Sequence, residues 1–392
     1  MSERVLHRLD ELYGIGDGPG ANRPGLSPAE QEAHDLVAGW MKDAGLDVSV
    51  DAAGNLFGRL PGPLATEEVW SGSHLDSVPQ GGRFDGALGV VAALEAVERL
   101  GRQERTLAVV AFRDEEGWRF GHGCFGSRAL CGGLGPAELE TADDKGVTIA
   151  DAVRSLGFGP VSEGGWLDRP PAAFVELHVE QGPVLAAQDV PLGIVTSIVG
   201  LARLRVVFTG QGGHAGTTPM EGRRDALVAA GRFVLAVKDA AERRERTVAT
   251  IGQLTVEPNA ANVIPARVEL LVDARASDDE TLTSLVDEIE AAAEGGEVEN
   301  AGRMQPAEMH PELRSALRAA LEELGLPAAE LPSGAGHDAG ILAAAGVPSA
   351  MLFVRSGAGG VSHSPDEHSE DADVALGVDT LERALRRLAT PP

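Results

Sequence analysis

The sequence is poor in cysteine and lysine, and it has no long apolar run. Only Cys124 and Cys131 carry thiols among the 392 residues, and this pair forms neither a disulfide framework nor a CxxC metal motif. No stretch approaches the ~18 consecutive apolar residues of a membrane-spanning helix. The N-terminal letters MSERVLHRLDEL are charged and lack the apolar core of a secretory signal. We therefore expect a cytoplasmic protein without a membrane anchor.

Positive charge is also scarce. The chain has 33 Lys and Arg against 60 Asp and Glu, which gives a formal net charge of −27. Such a surface repels nucleic acids and anionic membranes, so neither is an expected partner. The 43% hydrophobic and 24% charged residues are close to the globular average, which excludes wholesale disorder. The length predicts two or three domains of ~100–200 residues each.

Predicted strands and helices alternate through most of the chain. The strand patterns are VWSGSHL, TLAVVAFRDEEG, AAFVELHVEQG and PSAMLFV, and the helix GALGVVAALEAVERL lies between the first two. This alternation predicts an α/β/α domain, an α/β sheet covered by helices on both faces. Between residues 199 and 306 the order is β-α-β-β-α-β, that of a ferredoxin-like unit. We predict a first domain of residues 1–198 plus 307–392, with residues 199–306 inserted as a second domain.

The first group of chemically active side chains lies in SGSHLDSVPQGGRFDGALG. His74 and Asp76 are two residues apart, so on a strand they project to one face, where Asp76 could hold the imidazole in one tautomer. Asp85 follows in a glycine-rich loop before a helix. A purely structural interpretation makes Asp85 a helix cap and His74 a strand-end residue, and this cluster alone does not decide between the two.

Further candidates follow three other strand patterns. Glu115 and Glu116 come directly after a buried strand, so one could bind a metal while the other acts as a general base, although exposed turn acids are the usual explanation of such a pair. Glu176, His178 and Glu180 share one face of a strand, and His363 comes after the strand AMLFV. Nitrogen and oxygen ligands at several strand ends indicate a site at the sheet edge, where open α/β sheets bind ligands.

Six segments occur in an order that resembles a known family. They are GSHLDSVPQGGRFDG, EEG, HVEQG, GGHAGTTP, SGAGHDA and GVSHSP. The chain resembles the dinuclear metallohydrolase superfamily of aminoacylases and carboxypeptidases over nearly its whole length. It is more similar to the amidase branch of N-carbamoyl-L-amino-acid hydrolases, allantoate amidohydrolases and β-ureidopropionases.

The resemblance implies a centre of two divalent ions, which could be zinc, manganese or cobalt. In this centre Asp85 bridges the ions, His74 and His178 complete one site, Glu116 and His363 complete the other, and Glu115 is the general base. We count Asp76 and His214 with Glu115 among the catalytic residues. His178 favours carbamoyl cleavage, because peptidase relatives usually have a carboxylate at that position.

The resemblance also implies how the substrate is bound. The inserted domain corresponds to a lid and dimerisation domain, so a homodimer is expected, and His214 is expected to reach the active site of the neighbouring subunit. The implied substrate contacts are Gln181, His214, Asn262, Arg275 and His337. The implied substrate is a small molecule that has a ureido group beside a carboxylate, such as an N-carbamoyl-L-amino acid, allantoate, ureidoglycolate or β-ureidopropionate.

Other activities fit the sequence less well. TGQGGHAG contains a GxGxxA pattern, but the following TTPMEGRR delays the helix that a dinucleotide site needs. GxSxG and HExxH motifs are absent, which argues against α/β-hydrolases and zincins. Two alternatives stay open beside the ureido-cleaving enzyme. One is an N-acyl-amino-acid deacylase or dipeptidase, and the other is a non-catalytic, metal-stabilised binding protein.

Overall fold

The computed structural model describes residues 2–161, 164–167 and 169–390. Contacts between residues divide the chain into two compact units. Unit 1 comprises Met1–Thr196, Glu308–Ser333 and His337–Pro392, and unit 2 comprises Ser197–Ala307 and Gly334–Gly336. The inserted segment predicted from the sequence, residues 199–306, lies within unit 2. No helix among the described residues is long and apolar enough to cross a membrane.

Unit 1 is built on one large sheet with helices packed against it. Its helices are α1 (Ser2–Tyr13), α2 (Pro28–Asp43), α3 (Ala87–Leu100), α4 (Phe125–Cys131), α5 (Pro136–Leu139), α6 (Ile149–Ser155), α7 (Val184–Gln188), α10 (Pro311–Glu323), α11 (Asp338–Ala344) and α12 (Asp371–Ala389). The strands of its sheet are β1 (Asp47–Val50), β2 (Leu56–Leu60), β3 (Leu64–His74), β4 (Arg105–Phe112), β5 (Ala173–Val179), β6 (Leu192–Ile198), β13 (Ala307–Glu308), β14 (Ala329–Ser333) and β15 (Ser349–Val354).

The centre of this sheet is parallel. The strand order is β1-β2-β4-β3-β5-β15-β6-β13, with β14 paired to β6. β3 runs parallel to both β4 and β5, and β15 runs parallel to β5. The chain therefore leaves β4, β3, β5 and β15 at the same edge of the sheet, and the loops after these strands meet there. The predicted α/β class is confirmed.

The helix α3 covers one face of the unit 1 sheet. Its sequence ALGVVAALEAVERL is apolar almost throughout, and all residues from Ala87 to Val97 are buried. The small residue Gly89 lets the helix backbone approach the sheet, because a Cβ there would overlap Ser73 and the Leu177 carbonyl. The glycine Gly86 before α3 has φ +63°, and a Cβ there would overlap the His74 imidazole.

Unit 2 has its own sheet and core. It contains β7 (Gly200–Thr209), β8 (Gly213–His214), α8 (Ala226–Glu242), β9 (Thr247–Glu257), β10 (Val263–Ile264), β11 (Arg267–Ala276), α9 (Asp279–Ala292) and β12 (Gly296–Met304). Its main sheet has the antiparallel order β12-β7-β11-β9. Alternating burial along β11 matches a sheet with one covered face, and α8 and α9 supply that cover. This is the ferredoxin-like order predicted from the sequence.

Candidate metal centre and active site

Side chains from four loops and strand ends meet at the carboxyl edge of the unit 1 sheet. His74 is the last residue of β3, and His178 is the penultimate residue of β5. Glu115 and Glu116 follow β4, and His363 lies in the loop after β15. The parallel pairing of these strands explains why residues distant in sequence become neighbours.

Asp85 lies at the centre of this group. Its Oδ1 is 3.2 Å from His178 Nε2 and 3.8 Å from His74 Nε2, and its Oδ2 is 3.5 Å from His363 Nε2. The Nε2 of His363 is also 3.2 Å from Glu116 Oε2. Two sets of three residues thus share Asp85 and have ligand atoms within 4.8 Å of one another: His74, Asp85 and His178, and Asp85, Glu116 and His363. The cap of α3 is Gly86, which has no side chain, so capping does not explain Asp85.

The buried His74 and His178 direct their Nε2 atoms towards this centre. His178 Nδ1 is 2.9 Å from the Val179 carbonyl oxygen, and His74 Nδ1 is 3.2 Å from both the carbonyl and the Oδ1 of Asp76. A carbonyl oxygen only accepts, so Nδ1 carries a proton in each ring, and Nε2 is the nitrogen that faces Asp85 and that a metal ion would bind. This is the arrangement that metal-binding histidines adopt.

Asp76 does more than orient His74. Its Oδ1 accepts the backbone N–H of Glu115 at 3.0 Å, and its Oδ2 accepts the N–H of Glu116 at 3.1 Å. The Asp76 side chain is fully buried. One carboxylate therefore holds both the His74 ring and the turn that carries the two glutamates.

Glu115 is set apart from the ligand groups. Its Oε2 is 3.8 Å from His74 Nε2, and its Oε1 accepts the Cys124 thiol at 3.6 Å. Burial raises the pKa of Glu115 well above its usual value, against the opposing effect of His74. A carboxylate with a raised pKa is suited to take and return a proton near neutral pH. Burial and the neighbouring Glu115 raise the pKa of the Cys124 thiol, so it is no candidate nucleophile.

The donor set fits divalent metal ions. Glu116 Oε1 and His178 Nε2 are buried without a hydrogen-bond partner, which is costly unless another ligand satisfies them. Burial and Asp85 raise the pKa of Glu116. Burial acts in the same direction on Asp85, but the surrounding histidines outweigh it and hold the pKa of Asp85 below its usual value. A bound cation relieves this repulsion between carboxylates. Imidazole and carboxylate ligands suit zinc, manganese or cobalt.

The two glutamates that flank His178 on this face of β5 have other tasks. The Glu176 carboxylate accepts the Ser73 hydroxyl at 2.7 Å and the Ala339 N–H at 3.1 Å. The Glu180 carboxylate accepts the N–H groups of Val184 and Leu185 at the start of α7. Of the three polar residues on this face of β5, His178 is the one that contacts Asp85.

Two predicted substrate residues lie beside the centre in unit 1. Gln181 Nε2 donates to Asp85 Oδ2 at 3.0 Å. The His337 ring is 4.5 Å from the His178 ring, centroid to centroid, and its Nε2 is 3.0 Å from Ser333 Oγ. Burial and the nearby His178 lower the pKa of His337 well below its usual value, so its imidazole is neutral at pH 7.

The remaining predicted residues lie in unit 2. His214 and Asn262 line one shallow concavity together with Pro258 and Val263. The N–H groups of Gly216 and Thr217 donate to His214 Nδ1, so its Nε2 carries the proton and is free to donate. Arg275 is not in this concavity.

The Arg275 guanidinium forms an ion pair with Asp273. Its Nε lies 2.8 Å from Asp273 Oδ1. The two residues are neighbours on the same strand, so the guanidinium would have to exchange this partner to bind a substrate carboxylate.

Sequence reasoning missed a buried ion pair behind the glutamate turn. The Glu30 carboxylate accepts the N–H of Asp114 at 3.0 Å and pairs with Arg113 Nη1 at 3.2 Å. The available signal was the segment SPAE at the start of α2, where Ser27 caps the helix and accepts the Glu30 N–H. Sequence gave no indication that Glu30 reaches the turn before Glu115.

The whole chain matches known proteins. Residues 70–387 match the family model described as peptidase family M20/M25/M40. The chain is 42% identical to an N-carbamoyl-L-amino acid amidohydrolase of Geobacillus stearothermophilus, over 99% of both sequences. It is 36% identical to allantoate amidohydrolase of Bacillus subtilis, over 96% of this chain and 95% of that protein. The solved hydantoinase/carbamoylase family amidase of Burkholderia multivorans superimposes with a TM-score of 0.88 at 36% identity, over 100% of this chain and 98% of that one.

Proposed function

This chain belongs to peptidase family M20/M25/M40 and is a hydrolase of carbon–nitrogen bonds, and from this premise we propose that it removes the carbamoyl group from N-carbamoyl-L-amino acids. The observation that carries the proposal is the convergence of His74, Asp85, Glu116, His178 and His363 on one centre. The 42% identity to an N-carbamoyl-L-amino acid amidohydrolase supports this substrate class. His178 at a position where the peptidases usually have a carboxylate supports it against a dipeptidase.

Two divalent ions are proposed for this centre. His74 and His178 would hold one, Glu116 and His363 the other, and Asp85 would bridge them, as the two overlapping groups of three suggest. When bound, such ions supply Lewis-acid polarisation of water and of the substrate carbonyl. Glu115 belongs to neither group and stays available for proton transfer.

The protein's own residues account for the proton movements. Glu115 removes a proton from the attacking water and then gives it to the departing nitrogen. His214 donates its Nε2–H to the oxyanion that forms on the carbamoyl carbon, consistent with the tautomer that Gly216 and Thr217 select. The products are ammonia, carbon dioxide and an amino acid.

Substrate recognition is assigned to four residues. Arg275 and Asn262 bind the substrate carboxylate, for which a guanidinium offers two parallel N–H donors. Gln181 and His337 contact the ureido group. Two bound divalent ions would make the local field favourable for an anion, although the whole chain carries a net charge of −27.

Allantoate is the second candidate substrate, because the chain is 36% identical to the allantoate amidohydrolase of Bacillus subtilis. The test is ammonia release by protein loaded with zinc, manganese or cobalt. The panel contains N-carbamoyl-L-amino acids and allantoate, with N-acetyl-L-amino acids and dipeptides as controls. Metal-dependent ammonia release from the carbamoyl compounds supports the proposal. Release of acetate or free amino acids from the controls alone would establish the deacylase or dipeptidase instead.

A homodimer through unit 2 completes the proposal. β9 is an edge strand of its sheet and exposes Val248 and Leu254, and α8 exposes Leu235. An edge strand with exposed apolar residues is a typical surface for pairing with a second chain. Light scattering should give twice the chain mass. Leu254→Glu should give the monomer, whereas Val50→Glu, at an exposed position of unit 1, should leave the dimer unchanged. A monomeric wild type would contradict this proposal.

A further inference from the structure

The loop between β15 and α12 holds the backbone of Asp85 in place. Glu367 in this loop is buried, and its Oε1 accepts the backbone N–H of Phe84 at 2.8 Å and that of Asp85 at 3.2 Å. The Glu367 carboxylate packs against Gly82, where a Cβ would overlap it. The backbone position of Asp85 therefore depends on a residue far away in the sequence.

Ser362 connects Glu367 to the substrate side. Its Oγ is 3.0 Å from Glu367 Oε2, 3.3 Å from Asp85 Oδ2 and 3.1 Å from Gln181 Nε2. A hydroxyl has one hydrogen to donate, and the shorter distance gives it to Glu367. Ser362 therefore acts as an acceptor towards Gln181.

These contacts determine the orientation of the Gln181 amide. Its Nε2 donates to Asp85 Oδ2 at 3.0 Å and to Ser362 Oγ at 3.1 Å. An ionised carboxylate only accepts hydrogen bonds, so the atom beside Asp85 is the amide nitrogen and not the oxygen. Both amide hydrogens are used, and no described residue donates to the Gln181 Oε1. The carbonyl oxygen is therefore the group that the amide offers to a substrate.

We propose that Ser362 and Glu367 are positioning residues that set the specificity for a ureido group through Gln181. A fixed acceptor at Gln181 Oε1 binds the N–H2 of a carbamoyl group and has no bond to make with the methyl of an acetyl group. The two groups have nearly the same size, so the hydrogen bond and not the shape of the pocket separates them. This inference rests on the proposed function, since it concerns how the same site chooses its substrate.

The test compares N-carbamoyl-L-alanine with N-acetyl-L-alanine, which differ by NH2 against CH3. Ser362→Ala should lower the ratio of their kcat/KM values roughly 10-fold, because the amide loses one of two bonds that orient it. Ser362→Thr keeps the hydroxyl and should have the same ratio of kcat/KM values as the wild type. Ser364→Ala removes a hydroxyl from the same loop that accepts only the Asp366 N–H, and it should leave the ratio unchanged.

Metal affinity, measured by competition with a chelator, distinguishes a positioning role of Ser362 from a general disruption of the site. Ser362→Ala should bind manganese as the wild type does. Glu367→Ala should bind it about 10-fold more weakly, since Asp85 loses its backbone support, and Glu367→Gln should recover most of this affinity. A carbamoyl-to-acetyl ratio within twofold of wild type in Ser362→Ala would overturn the inference.

Calorimetry measures how tightly Glu115→Gln binds each of the two compounds. This measurement distinguishes a failure of the present inference from a failure of the proposed function. If no ureido compound is hydrolysed, the proposed function fails, and the binding preference in the Ser362→Ala background still decides the inference. A preference that disappears there supports the role of Ser362. An unchanged preference, or no binding of either compound, overturns it.

Discussion

Replacing Asp76 by Asn tests the support of the metal centre without changing its volume. The Asp76 carboxylate accepts two backbone N–H groups, from Glu115 at 3.0 Å and from Glu116 at 3.1 Å, and lies 3.2 Å from His74 Nδ1. An amide in its place presents one NH2 group to these donors. At least one donor is then left facing another donor in a fully buried site.

The magnitude follows from two opposing effects. Losing a charge-assisted hydrogen bond and leaving its donor unpaired costs about 2–4 kcal/mol. Removing the buried negative charge offsets part of this, because burial raises the pKa values of Glu30 and Asp114 and repulsion by Asp76 adds to that rise. We therefore expect Asp76→Asn to lower the free energy of unfolding by about 1–3 kcal/mol. We expect metal affinity to fall 10–100-fold, the usual effect of losing the partner of a ligating histidine.

Two assays separate these effects. Urea unfolding of chelator-treated protein measures stability, and competition with a chelator measures metal affinity. Asp35→Asn is the matched control, because Asp35 is exposed and pairs only with Gln31 on the same helix. Metal affinity within threefold of wild type, together with full turnover, would refute the role derived for Asp76.

Four further predictions concern single groups of the site. Glu115→Gln should retain metal and lose about 10²–10⁴-fold in kcat. Glu116→Gln, in contrast, should lose metal in the same chelator competition. Near-normal turnover by Glu115→Gln would show that Glu115 is not the general base. Mixed dimers of inactive Glu115→Gln and inactive His214→Ala subunits should recover activity if His214 acts across subunits, and verified mixed dimers without activity would contradict this. Arg275→Ala should raise KM for carboxylate substrates roughly 10-fold or more with less effect on kcat, and an unchanged KM would place the carboxylate contact elsewhere. Burial raises the pKa of Asp338 from 3.8 to about 8, so the stability that its neutral form gives is complete below about pH 4 and is lost as pH rises towards 8. Asp338→Asn should therefore flatten the fall of the melting temperature of chelator-treated protein between pH 5 and 8, and an unchanged slope would show that Asp338 is ionised in the fold.

The sequence predicts the site as far as local patterns reach. His74 and His178 lie on apolar strands, and Glu115 follows such a strand, so their positions at strand ends follow from hydrophobic pattern alone. Periodicity does not say which polar residue of VELHVEQG enters the centre. Glu176 receives bonds from Ser73 and Ala339, and Glu180 receives bonds from the start of α7, because of neighbours that only the fold supplies.

The loop after β15 illustrates the same limit. The segment VRSGAGGVSH, which contains Arg355 and leads to His363, does not reveal from sequence alone what its side chains contact. In the structure Arg355 pairs with Asp373 at 2.8 Å and with Asp189 at 2.9 Å, so its guanidinium serves to hold this loop against two other segments. Asp373 lies 18 residues after Arg355 and Asp189 lies 166 residues before it, so neither partner has a signal in the local sequence.

The sequence by itself determined the fold class, the family and the chemical types at the strand ends, because hydrophobic periodicity and short motifs act over a few residues. Tertiary structure alone decided which groups share one centre, which nitrogen each buried histidine presents, and which carboxylates support the ligands. Asp76, Glu30 and Glu367 hold backbone N–H groups of distant segments. The physical reason is that hydrogen bonding and burial depend on distances in space, which parallel strand order sets and sequence spacing does not.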